Sequence, residues 1–392
     1  MQRWLRLFIP VCVLALVVVL GISAFGGTGA QSVRKGVPKG ADFLAFYTGA
    51  SILSEGEGEH LYDPAQFSRT QQGHARSSLK YYAVYPPPLY QGMTPLLRLG
   101  YVRATQVHLL VQALLLALGA GLLVRAVPEL DTWSRPAFWL LAASPFAIMN
   151  VLTGQCAGFW LTLVGAGVLL VRRGRPLAGG LVLGLLCAKP SLGLGVAAFL
   201  ALAGQGRAFL GFGLGGAAVV AASLPLHGVA PWLAWVEWMR GPTAAAFWPI
   251  PERQVTFRTL LGWPLRGTGL QNLVAPTAGL LGVVIAAALA RRAWRLPAGD
   301  PRWPLRAGLI LSVLLLSLPH MLEYDFGLHG LALLAVAALL RQSPSRTGAV
   351  LLALAWLAPL LFPLSGRLHV ALAPAALTLA LGWAATRPAS AS

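Results

Sequence analysis

Carboxylates are scarce in this chain. Its 392 residues carry 12 Asp and Glu against 30 Lys and Arg, and charged residues of all kinds make up only 11%. A soluble domain of this length cannot cover its surface with so few charges, whereas lipid needs no such cover. The only 3 cysteines, Cys12, Cys156 and Cys187, lie within apolar runs and lack ligand spacing, which excludes a disulfide framework. A solvated basic domain is missing too. The net charge of +18 comes from arginines grouped at the ends of apolar runs, so it does not form a nucleic-acid patch. No internal repeat is evident, which argues against the paired halves of a secondary transporter.

What the chain does have is continuous apolar sequence, 57% hydrophobic with a mean hydropathy of +0.69. Such runs do not alternate as barrel strands do. The expectation is an all-α polytopic membrane protein, a single integral membrane domain over residues 1–392. Apolar runs between charge or proline punctuation predict about 12 spans, near 5–26, 103–125, 136–152, 156–171, 176–189, 190–204, 208–226, 271–290, 305–319, 326–340, 347–363 and 368–385. The pair around Lys189-Pro190 also reads as one broken helix. Arg3, Arg6 and Thr28-Gly29-Ala30 imitate a signal peptide, but the apolar run is long and many spans follow, so an uncleaved anchor is expected.

A cytoplasmic N-terminus puts Arg125, Arg135, Arg172, Arg173, Arg175, Arg207, Arg291, Arg292, Arg295, Arg302, Arg306, Arg341, Arg346 and Arg387 on the cytoplasmic side. Both termini then read as cytoplasmic. Most carboxylates fall on the other side: Asp42, Glu55, Glu57, Glu59, Asp63, Glu237, Glu252, Glu323 and Asp325. So do the two long polar segments, 27–102 and the Trp-rich 227–270. The first loop carries several cations, but long loops translocate largely regardless of charge. Within it, Phe43, Phe46, Ala50 and Leu53 predict a short amphipathic helix over 41–54 on the membrane surface, stopped by Gly56 and Gly58. Tyr85-Pro86-Pro87-Pro88 must be extended, and 89–99 predicts a second interfacial helix. Trp232, Trp235, Trp238, Trp248 and Trp263 of the second loop suit the headgroup level.

Chemistry concentrates on that face. Asp42 is either an early-turn acid favoured by the helix dipole or a general base at the water boundary. The run from Tyr81 to Pro88 is either an interfacial anchor or a rigid platform for sugar rings. Gln155 can be simply solvated. Lys189, inside apolar sequence beside Pro190, either snorkels or meets an anion such as phosphate. His320, Glu323, Tyr324 and Asp325 form a polar cluster at the outer end of a span, better suited to a substrate than to zinc. Glu55, Glu57, Glu59 and His60 read as a flexible solvated loop rather than a divalent-cation site.

These motifs occur in a recognisable order. Gly40-Ala41-Asp42-Phe43 and Tyr47 are followed by Leu61-Tyr62-Asp63, Tyr85-Pro86-Pro87, Gly154-Gln155, Arg172-Arg173-Gly174-Arg175 with Ala178-Gly179, and Ala188-Lys189-Pro190. Arg258 to Gly262 with Gln271, Pro319-His320 and Tyr324-Asp325 complete the set. Over about residues 38–335 the chain resembles glycosyltransferase family 87, polyprenol-phosphate-mannose-type transferases. The resemblance implies a GT-C-type fold and inverting transfer of a hexose, often mannose, from a polyprenyl-phosphate carrier. It implies a lipid-linked or cell-envelope glycan as acceptor on the outer face of a bacterial inner membrane, and EC class 2.4.1. By the same likeness Asp42 is the catalytic base, and Tyr47, Tyr85, Gln155, Lys189, Arg258, His320, Tyr324 and Asp325 are expected to bind substrate. Lys189, Arg258 and His320 are the expected stabilisers of the phosphate leaving group. No cofactor and no metal ligand is expected, although some GT-C enzymes use a divalent ion. A multi-span transporter and a polysaccharide polymerase or ligase are the competing readings.

Overall fold

A computed structural model describes residues 2–241, 251–293 and 296–387, with the side chains of 2–6 and 292–293 excepted. The chain is all-α: 77% is helix, and no strand occurs among the described residues. In order the α-helices are α1 (Gln2–Phe25), α2 (Phe43–Ser54), α3 (Pro64–His74), α4 (Pro87–Gln91), α5 (Gly100–Arg125), α6 (Ser134–Ala142), α7 (Pro145–Thr153), α8 (Ala157–Arg172), α9 (Pro176–Gly184), α10 (Pro190–Leu202) and α11 (Gly206–His227). Then come α12 (Ala230–Arg240), α13 (Phe257–Gly262), α14 (Leu270–Ala293), α15 (Trp303–Leu316), α16 (Gly330–Gln342), α17 (Arg346–Leu357), α18 (Phe362–Leu368) and α19 (Leu372–Ala385).

Among the described residues, six helical stretches are long and apolar enough to cross a bilayer: Leu7–Phe25, Pro87–Arg125, Pro128–Thr153, Gly206–His227, Leu270–Arg291 and Glu323–Gln342. A seventh candidate is the pair Arg346–Leu360 and Phe362–Leu368, bent by 85°. The other expected spans are shorter apolar helices of 10–17 residues. At 1.5 Å per residue even the longest, Ala157–Arg172, covers about 24 Å, less than a hydrocarbon core of about 30 Å. The chain is a multi-pass membrane protein. Its lipid-facing surface is visible in the exposed Leu7, Val11, Leu14 and Val18 of α1 and Leu273, Leu280 and Val284 of α14.

Without a hydrophobic drive between helices in lipid, small residues decide which ones touch. Gly180 and Gly184 of α9 face α11, whose Gly211 and Gly215 face back. A Cβ on Gly180 would stand 2.0 Å from the Ala208 carbonyl oxygen, and one on Gly211 2.2 Å from that of Leu177. Two Gly-x-x-x-Gly pairs thus mesh backbone against backbone, a pattern that hydropathy does not reveal.

The first polar loop differs from its expectation. α2 ends at Ser54 as expected, but every residue from Phe43 to Leu53 is buried. It is a plug packed on α3 and α4 and on the start of α5, not an amphipathic helix on the membrane surface. The helix expected over 89–99 begins earlier, at Pro87, because proline is suited to the first helical turn, and it breaks before a 3₁₀ stretch, Thr94–Leu99. The tryptophans serve packing as well. Trp232 Nε1 donates to Ser223 Oγ at 2.9 Å, and the Trp238 ring lies 6.3 Å from Tyr62. Helix α12 thereby docks the second loop onto the first. Trp248 and Arg295 lie outside the described residues.

At the end away from Asp42, Arg172 grips Glu129 with two bonds of 3.0 and 3.2 Å, and Arg341 reaches Asp131 at 3.2 Å. The arginine groups after α8 and α16 therefore share one end of the bundle, and Asp42 and Asp325 the other.

Candidate active site

Asp42 is delivered by a backbone that has little choice. Gly40 and Ala41 both have positive φ, 68° and 42°. Asp42 N–H donates to the Thr153 carbonyl at 2.9 Å, and the Tyr101 hydroxyl donates to the Lys39 carbonyl. Opposite, α7 ends at Gly154 with φ 64°, where a Cβ would fall 1.9 Å from the Gly40 carbonyl oxygen. Only glycine allows that approach. Positive φ is uncommon for alanine, and strained backbone of this kind gathers at functional sites.

The approach puts Gln155 beside Asp42: its Nε2 donates to Asp42 Oδ2 at 2.7 Å. The Tyr85 hydroxyl stands 3.5 Å from Gln155 Oε1, at the limit of a hydrogen bond. Burial pushes the Asp42 carboxyl above its ordinary value, opposed by the Gln155 bond and by the charge of Arg253. Asp42 itself is only half-buried, so one oxygen can meet a ligand.

Lys189 does not snorkel; it is paired within the protein, with Asp325. The backbone breaks there (φ −128°, ψ 85°) before Pro190 opens α10, and Nζ lies 2.6 Å from both oxygens of Asp325. Both side chains are almost wholly buried, 5% and 2% exposed. The rings of Tyr85 and Tyr324 flank the ammonium at 5.7 and 5.3 Å. Lys189 and Asp325 are thus neutralised as a pair, which corrects the expectation of Lys189 as an uncommitted phosphate cation.

A second pair completes the wall. Val255 N–H donates to the Met321 carbonyl at 2.7 Å, and Gln254 bridges Leu322. This short antiparallel contact brings Arg253 against Glu323, where its guanidinium binds Oε1 through Nε at 2.8 Å and through an Nη. Arg253 stays partly open, at 23%. Sequence reasoning named Glu323 but missed Arg253; the cation beside Glu252 on the Asp42 side was the signal available. His320 is not the third cation expected. Burial, then the charges of Lys189, Arg253 and Arg258, hold its basicity down to about 3, so it is a neutral hydrogen-bonding group near neutral pH. Arg258 is exposed on α13 and makes no ion pair among the described residues.

The aromatic run is extended only through Pro86, since Pro87 and Pro88 open α4, and it is clamped. The Tyr62 hydroxyl donates to the Tyr85 carbonyl at 2.6 Å, and the Tyr90 hydroxyl accepts from Val84 and Tyr85 N–H at 2.8 and 3.1 Å. Tyr47 behaves differently. It sits in an aromatic core with Phe43, His74 and Tyr101, and its hydroxyl reaches only the Leu97 carbonyl at 3.4 Å. These contacts are those of packing. Glu57 is held by Gln66, and Glu59 pairs with His60 at 3.5 Å on the surface, so these acids do not converge.

Asp42, Tyr85, Gln155, Lys189, Arg253, His320, Glu323, Tyr324 and Asp325 are therefore one connected polar cluster at one end of an apolar helical bundle. A carboxylate, two buried ion pairs and clamped tyrosine rings in a membrane protein define the class of an integral membrane enzyme acting on a polar group. The family model of glycosyltransferase family 87 matches residues 83–319, more than half of the chain, and the chain belongs to that family. It is a glycosyltransferase of the membrane, and the transporter reading falls away. No curated protein and no solved structure matches the chain.

Proposed function

We propose that the enzyme moves a hexose, mannose first among them, from a polyprenyl-phosphate carrier to a lipid-linked or cell-envelope glycan. The site faces the exterior of a bacterial inner membrane, both termini are cytoplasmic, and the fold is of the GT-C type. The observation that carries this reading is the half-buried Asp42 carboxylate, oriented by Gln155 and backed by cations on one wall.

Asp42 accepts the proton of the acceptor hydroxyl while that oxygen attacks the anomeric carbon. The bond from that carbon to the phosphate oxygen breaks, and the phosphate leaves with the electron pair on the opposite face, so configuration inverts. Arg253, the partly open member of its pair, and the exposed Arg258 supply positive charge for the departing phosphate. Lys189 and Asp325 hold Tyr85 and Tyr324 as the sugar platform. The prenyl tail lies against the lipid-facing helices, which is why the reaction needs a membrane enzyme.

The test is transfer of radiolabelled mannose from polyprenyl-phosphate-mannose into lipid extract by wild type and Asp42→Asn. Label moving with wild type alone supports donor and base. Equal transfer by both removes Asp42 from the chemistry. No transfer by wild type with any of a panel of polyprenyl-phosphate sugars rejects this donor class.

A further inference from the structure

Four cations of the first loop have no part in the chemistry above. Arg34, Lys35, Arg76 and Lys80 are exposed, in the loop that carries Asp42. The two segments that carry them are tied together. Gln31 Nε2 donates to the Arg76 carbonyl at 2.7 Å, and Ser78 donates to the Gly36 carbonyl through N–H at 3.0 Å and through Oγ at 2.9 Å. None of the four makes an ion pair among the described residues. The acids of the same loop are occupied elsewhere. Glu55 takes Ser51 Oγ at 2.8 Å, Glu57 takes Gln66 Nε2 at 2.7 Å, and Asp63 caps α3. The patch also runs into the site. Lys80 immediately precedes the extended run Tyr81–Tyr85, whose last hydroxyl stands 3.5 Å from Gln155, the 2.7 Å partner of Asp42.

We propose that this patch holds the negative group of the sugar acceptor. The acceptor is an anionic molecule whose phosphate or carboxylate seats among Arg34, Lys35, Arg76 and Lys80 while its hydroxyl meets Asp42. This rests on the glycosyl-transfer reading of the Asp42 site and adds the charge class of its acceptor. Clustered cations at the mouth of a low-dielectric site focus field and raise the local concentration of an anion. Anionic headgroups of the bilayer are the other source of such charge. The run from Lys80 through Tyr85 and Gln155 to Asp42 favours the acceptor.

The experiment measures equilibrium binding of two radiolabelled probes, an alkyl mannoside and the same mannoside carrying a phosphate. The full chain is used in nanodiscs of neutral phosphatidylcholine. Wild type is expected to bind the phosphate probe about tenfold more tightly than the neutral one, each exposed cation contributing a factor of about two. Substituting all four (Arg34→Gln, Lys35→Gln, Arg76→Gln, Lys80→Gln) abolishes that preference and leaves the neutral probe unchanged, which also reports an intact fold. Salt near 1 M, where the screening length is about 3 Å, does the same to wild type. No preference in wild type, or the same preference in the fourfold variant, overturns the proposal. A substitution effect seen only when the nanodisc contains anionic lipid overturns it in favour of a headgroup anchor. Failure of the transfer reading shows separately, as absence of sugar release in the donor panel with probe binding still measurable.

Discussion

Replacing Lys189 with methionine leaves the Asp325 carboxylate in a site only 2% exposed, with both of its 2.6 Å bonds to the ammonium gone. Arg253, the other cation of the cluster, is already committed to Glu323. Breaking one side of a buried pair costs about 3–5 kcal/mol, because the survivor keeps its desolvation penalty and loses its compensation. Asp325→Leu should cost a similar amount, eased by the faces of Tyr85 and Tyr324, whose attraction for the stranded ammonium amounts to about 0.5–2 kcal/mol. The double variant Lys189→Met/Asp325→Leu removes both charges, so it should be more stable than either single variant, which puts the coupling energy above about 3 kcal/mol. The assay is equilibrium unfolding of the four proteins in mixed micelles, with mannosyl transfer measured alongside. All three variants are expected to lose transfer, because the pair holds the two rings of the sugar platform. Single variants within about 1 kcal/mol of wild type, or strict additivity in the double variant, would refute the argument for a neutralised structural pair.

Asp42→Asn should abolish transfer by at least about a hundredfold, yet raise stability at neutral pH. The sign follows from its raised pKa: the folded state holds the proton more tightly than the unfolded one, so stability falls as pH rises from the unfolded to the folded pKa and stays lowered above it. An unchanged or lower unfolding midpoint would contradict this. Gln155→Leu removes a bond that lowers the Asp42 pKa, so the acid limb of the kcat/KM profile should move to higher pH; an unmoved limb detaches Gln155 from the base. Arg253→Gln should lower kcat far more than it changes acceptor KM, and a pure KM effect in steady-state kinetics would remove it from leaving-group stabilisation. Gly180→Val, which drives a side chain into the Ala208 carbonyl, should abolish folded yield in detergent extraction, whereas Gly213→Ala on the open face of α11 should be silent.

How much of this the sequence shows depends on distance along the chain. Residue types read well: an acid just beyond the first span, a lysine beside proline within apolar sequence, and a histidine with two acids at a span end all fall in the one polar cluster. Their partners read poorly. Lys189 and Asp325 are 136 positions apart, Asp42 and Gln155 113, and no local spacing announces either bond. Lys189 therefore left open snorkelling or an external anion when its anion was intramolecular. Arg253 was passed over for the same reason, since its place is set by a two-residue pairing with the segment around Met321. Periodicity misled at α2 because an apolar stripe and an all-buried plug differ only in what covers the remaining faces. That cover comes from α3, α4 and α5, whose arrangement is not local.

The close contact of Gly40 with Gly154 shows why the site nonetheless keeps its shape with few polar residues. Asp42 and Gln155 each lie one or two residues from a glycine that touches the other's backbone, so their hydrogen bond is fixed by main-chain geometry, not by a shell of side chains. His108 adds its Nε2 to the Gly154 carbonyl oxygen at 3.1 Å, and Thr105 Cγ2 fills the space where a Cβ on Gly40 would go. A carboxylate held this way cannot move far, so under the proposed mechanism the clamped Tyr85 and the loop bearing Arg34 and Arg76 are the parts left to orient the acceptor. Gly154→Ala is then the sharpest single probe of the arrangement. Its methyl would overlap the Gly40 carbonyl oxygen at 1.9 Å, displacing Asp42 while changing no polar group in the site. Such a small displacement can cost about a hundredfold in rate. Wild-type transfer by Gly154→Ala would mean that Asp42 tolerates movement and that its position is set elsewhere.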